Sequence, residues 1–297
     1  MAVTRTGSVP VGILCNCGWM ENLEDLGRFV RESRFDCVEI PAWPAAKVKE
    51  LADSGTSVGV VHLPQPWGDL AAPDAARRRD AADRSAAYVE SVFDSGVRVF
   101  LSCLFAGEED GDRRTSMGHA VDGYGQLCER LAALPDGGAR VVLEGWPGPG
   151  PHFPVLACTP EGYRAIFEGT GAPNLGVNFD PSHLIRMGID PIRFLEEFVS
   201  RVFHVHGKDA EILGEGVYEY GTLQPPIEAP GLNFGDTYWR YTIPGHGCAR
   251  WGRIFRILAE AGYGGKLTIE LEDMNFNGTE AGEKRGFVVA REFLESV

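Results

Sequence analysis

No glycine-rich phosphate-binding turn follows any apolar stretch of this chain, which argues against a doubly wound nucleotide-binding fold. There is also no Lys/Arg-rich patch interleaved with aromatics. The 28 basic residues face 42 acidic ones, and the formal net charge of −14 repels a phosphate backbone. Nucleic acid is therefore excluded as a partner. No run of apolar residues reaches the length of a membrane span, and the opening MAVTRTGSVP lacks the apolar core and small-residue cleavage site of a secretory leader. The expectation is a soluble, cytoplasmic protein with no membrane partner. Although seven cysteines are present, no C-x-x-C pair occurs, and an odd, scattered set reads as reduced thiols and not as a disulfide frame.

The 297 residues, 44% of them apolar, can bury a large core. Short apolar stretches within residues 11–15, 35–40, 57–64, 97–103, 139–146, 174–183, 201–209 and 265–273 read as eight strands. Between most of them lie helical patterns, the clearest at 73–95, which Gly96 stops. Eight strands alternating with helices predict an α/β fold, a (β/α)8 TIM barrel, in a single domain over 1–297. From about 210 to 245 the chain is rich in Gly, Pro and Tyr and reads as an irregular, lid-like insertion.

In such a barrel the active residues stand where strands end. Glu144, Asp180, His183, His204, His206 and Glu270 all fall at the predicted ends of four late strands. His204 and His206 share a face because strand side chains alternate with period two. Singly, each has a plain structural explanation: a rim glutamate, a core imidazole, a helix cap at Asp180-Pro181-Ser182. Jointly, Glu144, Asp180, His206 and Glu270 make a mixed N/O ligand set for one divalent metal ion. Lys208 can pair with Glu144 or neutralise a developing enolate oxygen, and its plain reading is a solvent-facing lysine paired with Asp209. Glu39, His62, Trp67, His183, His204, His246 and Arg250 are the candidates for substrate binding. Trp43 and Trp146 are further candidates to stack on a sugar face, with wall packing as their alternative.

These motifs resemble the sugar phosphate isomerase/epimerase family, the xylose isomerase-like TIM barrels. The resemblance is carried by Glu144, Asp180-Pro181-Ser182-His183, His206-Gly207-Lys208-Asp209, Pro244-Gly245-His246-Gly247 with Trp251, and Glu270. It implies that Glu144, Asp180, His206 and Glu270 bind the metal, selecting His206 over His204, and that the two glutamates act as an acid/base pair. Manganese is the first choice of ion, with Co, Mg, Fe and Zn as alternatives. Two departures are the long segment 211–243 and His246 at a position where many relatives carry an acidic or neutral residue.

The expected activity is isomerisation or epimerisation of a sugar, keto-sugar or inosose. One glutamate takes the proton beside a carbonyl, and an enediolate forms with help from the metal and Lys208. Catalysis is thus assigned to Glu144, Glu270 and Lys208. Two alternatives stand beside this reading. One is a metal-dependent lyase or dehydratase acting on an oxidised glycoside or inosose, with His62 or His183 protonating the leaving group. The other is a barrel that binds sugar without turnover. The expected partner is a small sugar or polyol, and a homo-oligomer is compatible with the sequence.

Overall fold

The computed structural model describes residues 9–108, 111–148 and 155–297, so the first eight residues and part of the acidic loop at 107–112 lie outside it. Seven strands come first: β1 (Val11–Leu14), β2 (Val38–Ile40), β3 (Val58–His62), β4 (Val99–Cys103), β5 (Arg140–Glu144), β6 (Leu175–Phe179) and β7 (Val202–Gly207). After β8 (Asp209–Ile212) and β9 (Trp239–Thr242) comes β10 (Lys266–Ile269). The strands β1 to β7 and β10 form a closed barrel in the order β1-β10-β7-β6-β5-β4-β3-β2, with parallel pairing, which is a (β/α)8 TIM barrel.

Helices connect the strands: α1 (Leu23–Glu32), α2 (Ala45–Asp53), α3 (Ala75–Phe93), α4 (Arg113–Ala132), α5 (Pro160–Thr170), α6 (Pro181–Arg186), α7 (Pro191–Phe198), α8 (Gly214–Tyr220), α9 (Trp251–Glu260) and α10 (Glu280–Leu294). Side chains of Asn22, Asp74, Asp112, Thr159, Asp180, Asp190 and Thr279 accept from orphan amides at the starts of their helices. Proline opens α5, α6 and α7, where its missing N–H costs nothing.

Packing divides the chain into two compact units. One comprises Cys37–Phe179 and Arg201–His204. In it β2 to β6 pair in sequence, and Val60, Leu101 and Val142 form a fully buried apolar layer against Trp67, Val99 and Phe203. A register shift between Val38 and Glu39 sets Glu39 opposite Val60.

The other unit comprises Met1–Asp36, Asp180–Ser200 and Val205–Val297. In it β1 pairs with β10, Ile13 against Ile269. The segment expected to be irregular contains β8, α8 and β9, and the two strands pair antiparallel from Asp209↔Thr242 to Ile212↔Trp239. No hairpin turn joins them, because α8 and a Gly/Pro-rich stretch intervene. That is why the pairing leaves no local sequence signal. Ala210, Trp239 and Tyr241 pack there with Ile185, Phe234 and Tyr238. No helix among the described residues is long and apolar enough to cross a membrane.

Candidate metal centre

Asp180 directly follows β6 and caps α6. Its Oδ1 accepts from the Ser182 amide at 2.8 Å and the Ser182 hydroxyl at 2.6 Å. The other oxygen, Oδ2, is buried and accepts no hydrogen bond, although Lys208 Nζ and His183 Nε2 each lie 3.3 Å away. Burial opposes the charged form, but His183, Lys208 and His206 together hold the carboxyl well below the usual carboxylate range. This is a charged oxygen held by ion pairs.

Lys208 leaves the end of β7 and is 1% exposed. It donates to Glu270 Oε2 at 2.8 Å and to Glu272 Oε2 at 3.2 Å, and its ammonium sits 4.5 Å from the Tyr241 ring centre. Burial disfavours its charge, but Asp180, Glu270 and Glu272 outweigh that and drive its pKa well above the ordinary lysine value. Burial also raises the Glu272 carboxyl, aided by the charge of Glu270 and opposed by Lys208. His206 Nδ1 lies 2.9 Å from Glu270 Oε2 and 3.8 Å from Asp180 Oδ2.

Within one unit, a donor atom from each of Asp180, His206 and Glu270 lies within 4.8 Å of the other two. Two carboxylates and one imidazole suit a hard-to-borderline divalent cation, and the buried Asp180 Oδ2, which accepts no hydrogen bond, is a coordinating atom of that set. The residues therefore fit such an ion. In the other unit the Glu39 carboxylate lies near His204, but it is already bonded to two imidazoles, His62 and His204. The first set is the better site because it alone balances a double positive charge.

Glu39 is fully buried, with Oε1 2.8 Å from His62 Nε2 and Oε2 2.8 Å from His204 Nε2. Its place is behind His62, whose side chain keeps 19% exposure. Beside His62 runs a row of rings. Trp67 lies 6.2 Å from His62 and stacks on Phe105 at 6.0 Å and 9°, and Phe105 meets Trp146 edge-on at 6.1 Å. Trp67 Nε1 donates to the Leu63 carbonyl at 2.7 Å, which fixes the ring. Cys103 Sγ is 3.8 Å from Glu144 Oε2.

Other candidates lie elsewhere. Trp43 is buried beneath Lys47. His246 is exposed near Phe276, and Arg250 is exposed and pairs with Asp190 at 3.5 Å. Asp209 does not pair with Lys208. Its carboxylate accepts from the amides of Ala210 and Ala249 at 2.8 Å, Gly245 at 3.2 Å and the Trp251 indole at 3.1 Å. A Cβ on Gly247 would stand 2.3 Å from Asp209 Oδ1, so glycine is needed there. The motifs around Asp209 and Gly245 are thus one structural knot.

Two contributors escaped sequence reasoning. Tyr241 reaches from β9, accepts from Arg186 at 2.6 Å and contacts His183 Nδ1 at 2.7 Å. Nothing marks it locally, since its strand has no turn signal. Glu272 had one available signal: it lies two residues after Glu270, on the same period-two face.

A family model described as xylose isomerase-like TIM barrel matches residues 27–296. The uncharacterised protein YfiH of Bacillus subtilis is 34% identical over 129 residues, which is 43% of this chain and 40% of that protein. An inosose dehydratase of Clostridium botulinum is 35% identical over 96 residues, 32% of this chain and 29% of the enzyme. The matched segments thus span well under half of these relatives. The structure of 3-keto-D-glucoside 4-epimerase from E. coli superposes with a TM-score of 0.69 at 15% identity, covering 98% of this chain and 100% of that one, a likeness of fold. With the family match running over most of its length, the chain belongs to the xylose isomerase-like TIM barrel family.

Proposed function

We propose that this protein is a divalent-metal-dependent enzyme that moves a proton beside the carbonyl of a sugar, keto-sugar or inosose, as an isomerase or epimerase. The observation that carries the reading is the grouping of Asp180, His206 and Glu270 within 4.8 Å, with Asp180 Oδ2 buried and accepting no hydrogen bond; Glu144 is the fourth ligand we propose. When bound, the cation supplies Lewis-acid polarisation of the carbonyl and its neighbouring hydroxyl. Manganese is our first choice, with cobalt, magnesium, iron or zinc as the other ions this donor set accepts.

The protein's own groups do the proton work. Glu270 keeps 13% side-chain exposure and accepts the proton from the carbon beside the carbonyl. Glu144, entering the step protonated, returns its proton to the opposite face in epimerisation, or to the adjacent carbon in isomerisation. Exchange with solvent then returns Glu270 to the carboxylate and Glu144 to the acid. Lys208 stays charged among Asp180, Glu270 and Glu272 and donates to the oxygen on which negative charge grows. The rings of Trp67, Phe105 and Trp146 offer an apolar wall for a sugar face.

A second reading is elimination of water or an aglycone after the same first proton transfer. Its support is the identity to inosose dehydratase over part of the chain and the partly exposed His62, backed by Glu39, which in this reading protonates the leaving oxygen. Incubation with keto-sugars and inososes in deuterated water, with metal restored, tests both readings. Deuterium at the carbon beside the carbonyl supports proton transfer, and release of water or aglycone selects elimination. Binding without exchange in every case overturns both in favour of a sugar-binding barrel. Glu144→Gln is expected to lower both exchange and metal content, and unchanged values for both would remove Glu144 from the site.

A further inference from the structure

Asn178 takes no part in the chemistry above, yet it stands at the same level of the barrel wall. It lies on β6 two residues before Asp180, and its backbone is registered against Glu144 of β5. Registered neighbours in a parallel pair send their side chains to one face, and residues two apart along a strand share that face. Asn178 therefore faces the same way as Glu144. One step further down, Gly176 is registered against Val142, which belongs to the apolar layer with Val60 and Leu101.

Asn178 is 1% exposed, and neither its amide oxygen nor its amide nitrogen has a hydrogen-bond partner among the described residues. A buried, unmatched amide destabilises a fold, and a leucine of similar size would avoid that cost. The apolar layer beneath it gives no packing reason for an amide. What the position offers is a donor and an acceptor side by side, beside a proton-transferring glutamate.

We propose that Asn178 is a substrate-binding residue that sets specificity. Its NH2 donates to one substrate oxygen while its C=O accepts from a neighbouring hydroxyl. This pairing fits a neutral diol or hydroxyketone. A phosphate or carboxylate group, which only accepts, would leave the amide oxygen unmet. A site built this way also rejects deoxy analogues, because removing the hydroxyl strands the amide again. The inference rests on the sugar or inosose reading of the site.

The test uses full-length, metal-loaded protein as wild type, Asn178→Leu and Asn178→Ala, melted with and without D-fructose, D-glucose, scyllo-inosose and their deoxy analogues. Without sugar, Asn178→Leu is expected to melt at or above the wild-type temperature. For the sugar that stabilises wild type most, Kd is expected to rise about tenfold or more in both variants, with discrimination against the deoxy analogue lost. Asn178→Ala adds no bulk and carries the same Kd readout if leucine overpacks the layer. A melting point for Asn178→Leu several degrees below wild type, with Kd unchanged in Asn178→Ala, would show an amide bonded within the protein and overturn the proposal. Wild type that neither binds nor exchanges with any sugar sinks the functional reading itself, and this inference with it.

Discussion

Asp180 and Ser182 form a tight helix cap in which one carboxylate oxygen takes both the amide and the hydroxyl of Ser182, at 2.8 and 2.6 Å. The cap leaves the second oxygen buried beside Lys208 and His183. The structural and chemical roles of this carboxylate are therefore divided between its two oxygens.

That division can be separated by mutation. Asp180→Asn keeps a carbonyl for the Ser182 cap and removes the charge, so metal content is expected to fall at least tenfold while the protein stays folded. Ser182→Ala is expected to keep its metal and lose about 1 kcal/mol of stability. Elemental analysis beside urea melts reads both effects. Full metal occupancy in Asp180→Asn would contradict the assignment.

Tyr241 ties β9 to the site through Arg186 and His183. Removing its hydroxyl in Tyr241→Phe leaves the ring packing of Trp239 and Ile185 in place. The expected result is a loss of about 1–2 kcal/mol in stability and a larger fall in proton exchange as His183 loses its orienting partner. Comparable exchange rates in variant and wild type would assign Tyr241 to packing alone.

Asp209 gathers the amide of its neighbour Ala210, the amides of Gly245 and Ala249 just before α9, and the indole of Trp251, the first residue of α9. Burial pushes its carboxyl above the ordinary value, even though these donors favour the charge. Asp209→Ala strands several buried donors at once and should cost about 3 kcal/mol or more, with Asp209→Asn intermediate. Chemical denaturation measures the series. Near-wild-type stability in Asp209→Ala would mean that water satisfies these donors.

A pH-dependent contribution to stability comes from Asp122. The hydrogen bond from Arg78, at 2.7 Å, is the chief cause of its lowered pKa, with a further bond from Gln126. A folded-state pKa below the unfolded value means stability that is present above pH about 4 and lost as pH falls through the folded pKa. Because the Asp122 side chain is 45% exposed, solvent limits the effect to about 1 kcal/mol or less. Asp122→Asn should be less stable than wild type at pH 7 and converge with it in acid. A constant gap in urea melts across that range would rule out the linkage.

Much of the barrel was legible because each element carries its own local signal. The apolar runs of β3, β5 and β6 appear as continuous Val/Leu-rich stretches, and Asp180-Pro181 reads as a cap followed by a first-turn proline. The strand-end positions of Glu144, His206 and Glu270 follow from the same runs. The pairing of β8 with β9 was not legible, since its partners are joined by no turn.

By itself, the sequence determined the alternation of strand and helix, the acidic balance of charge, and the set of carboxylates and imidazoles at the strand ends. Only tertiary structure decided which atoms those groups spend on one another. It turned one Asp180 oxygen into a cap and left the other without a hydrogen bond, buried Glu39 behind His62, and surrounded Lys208 with three carboxylates. Spacing along a strand dictates which face a side chain takes. Its partner depends on residues far away in the chain, which meet it only once the strands have paired.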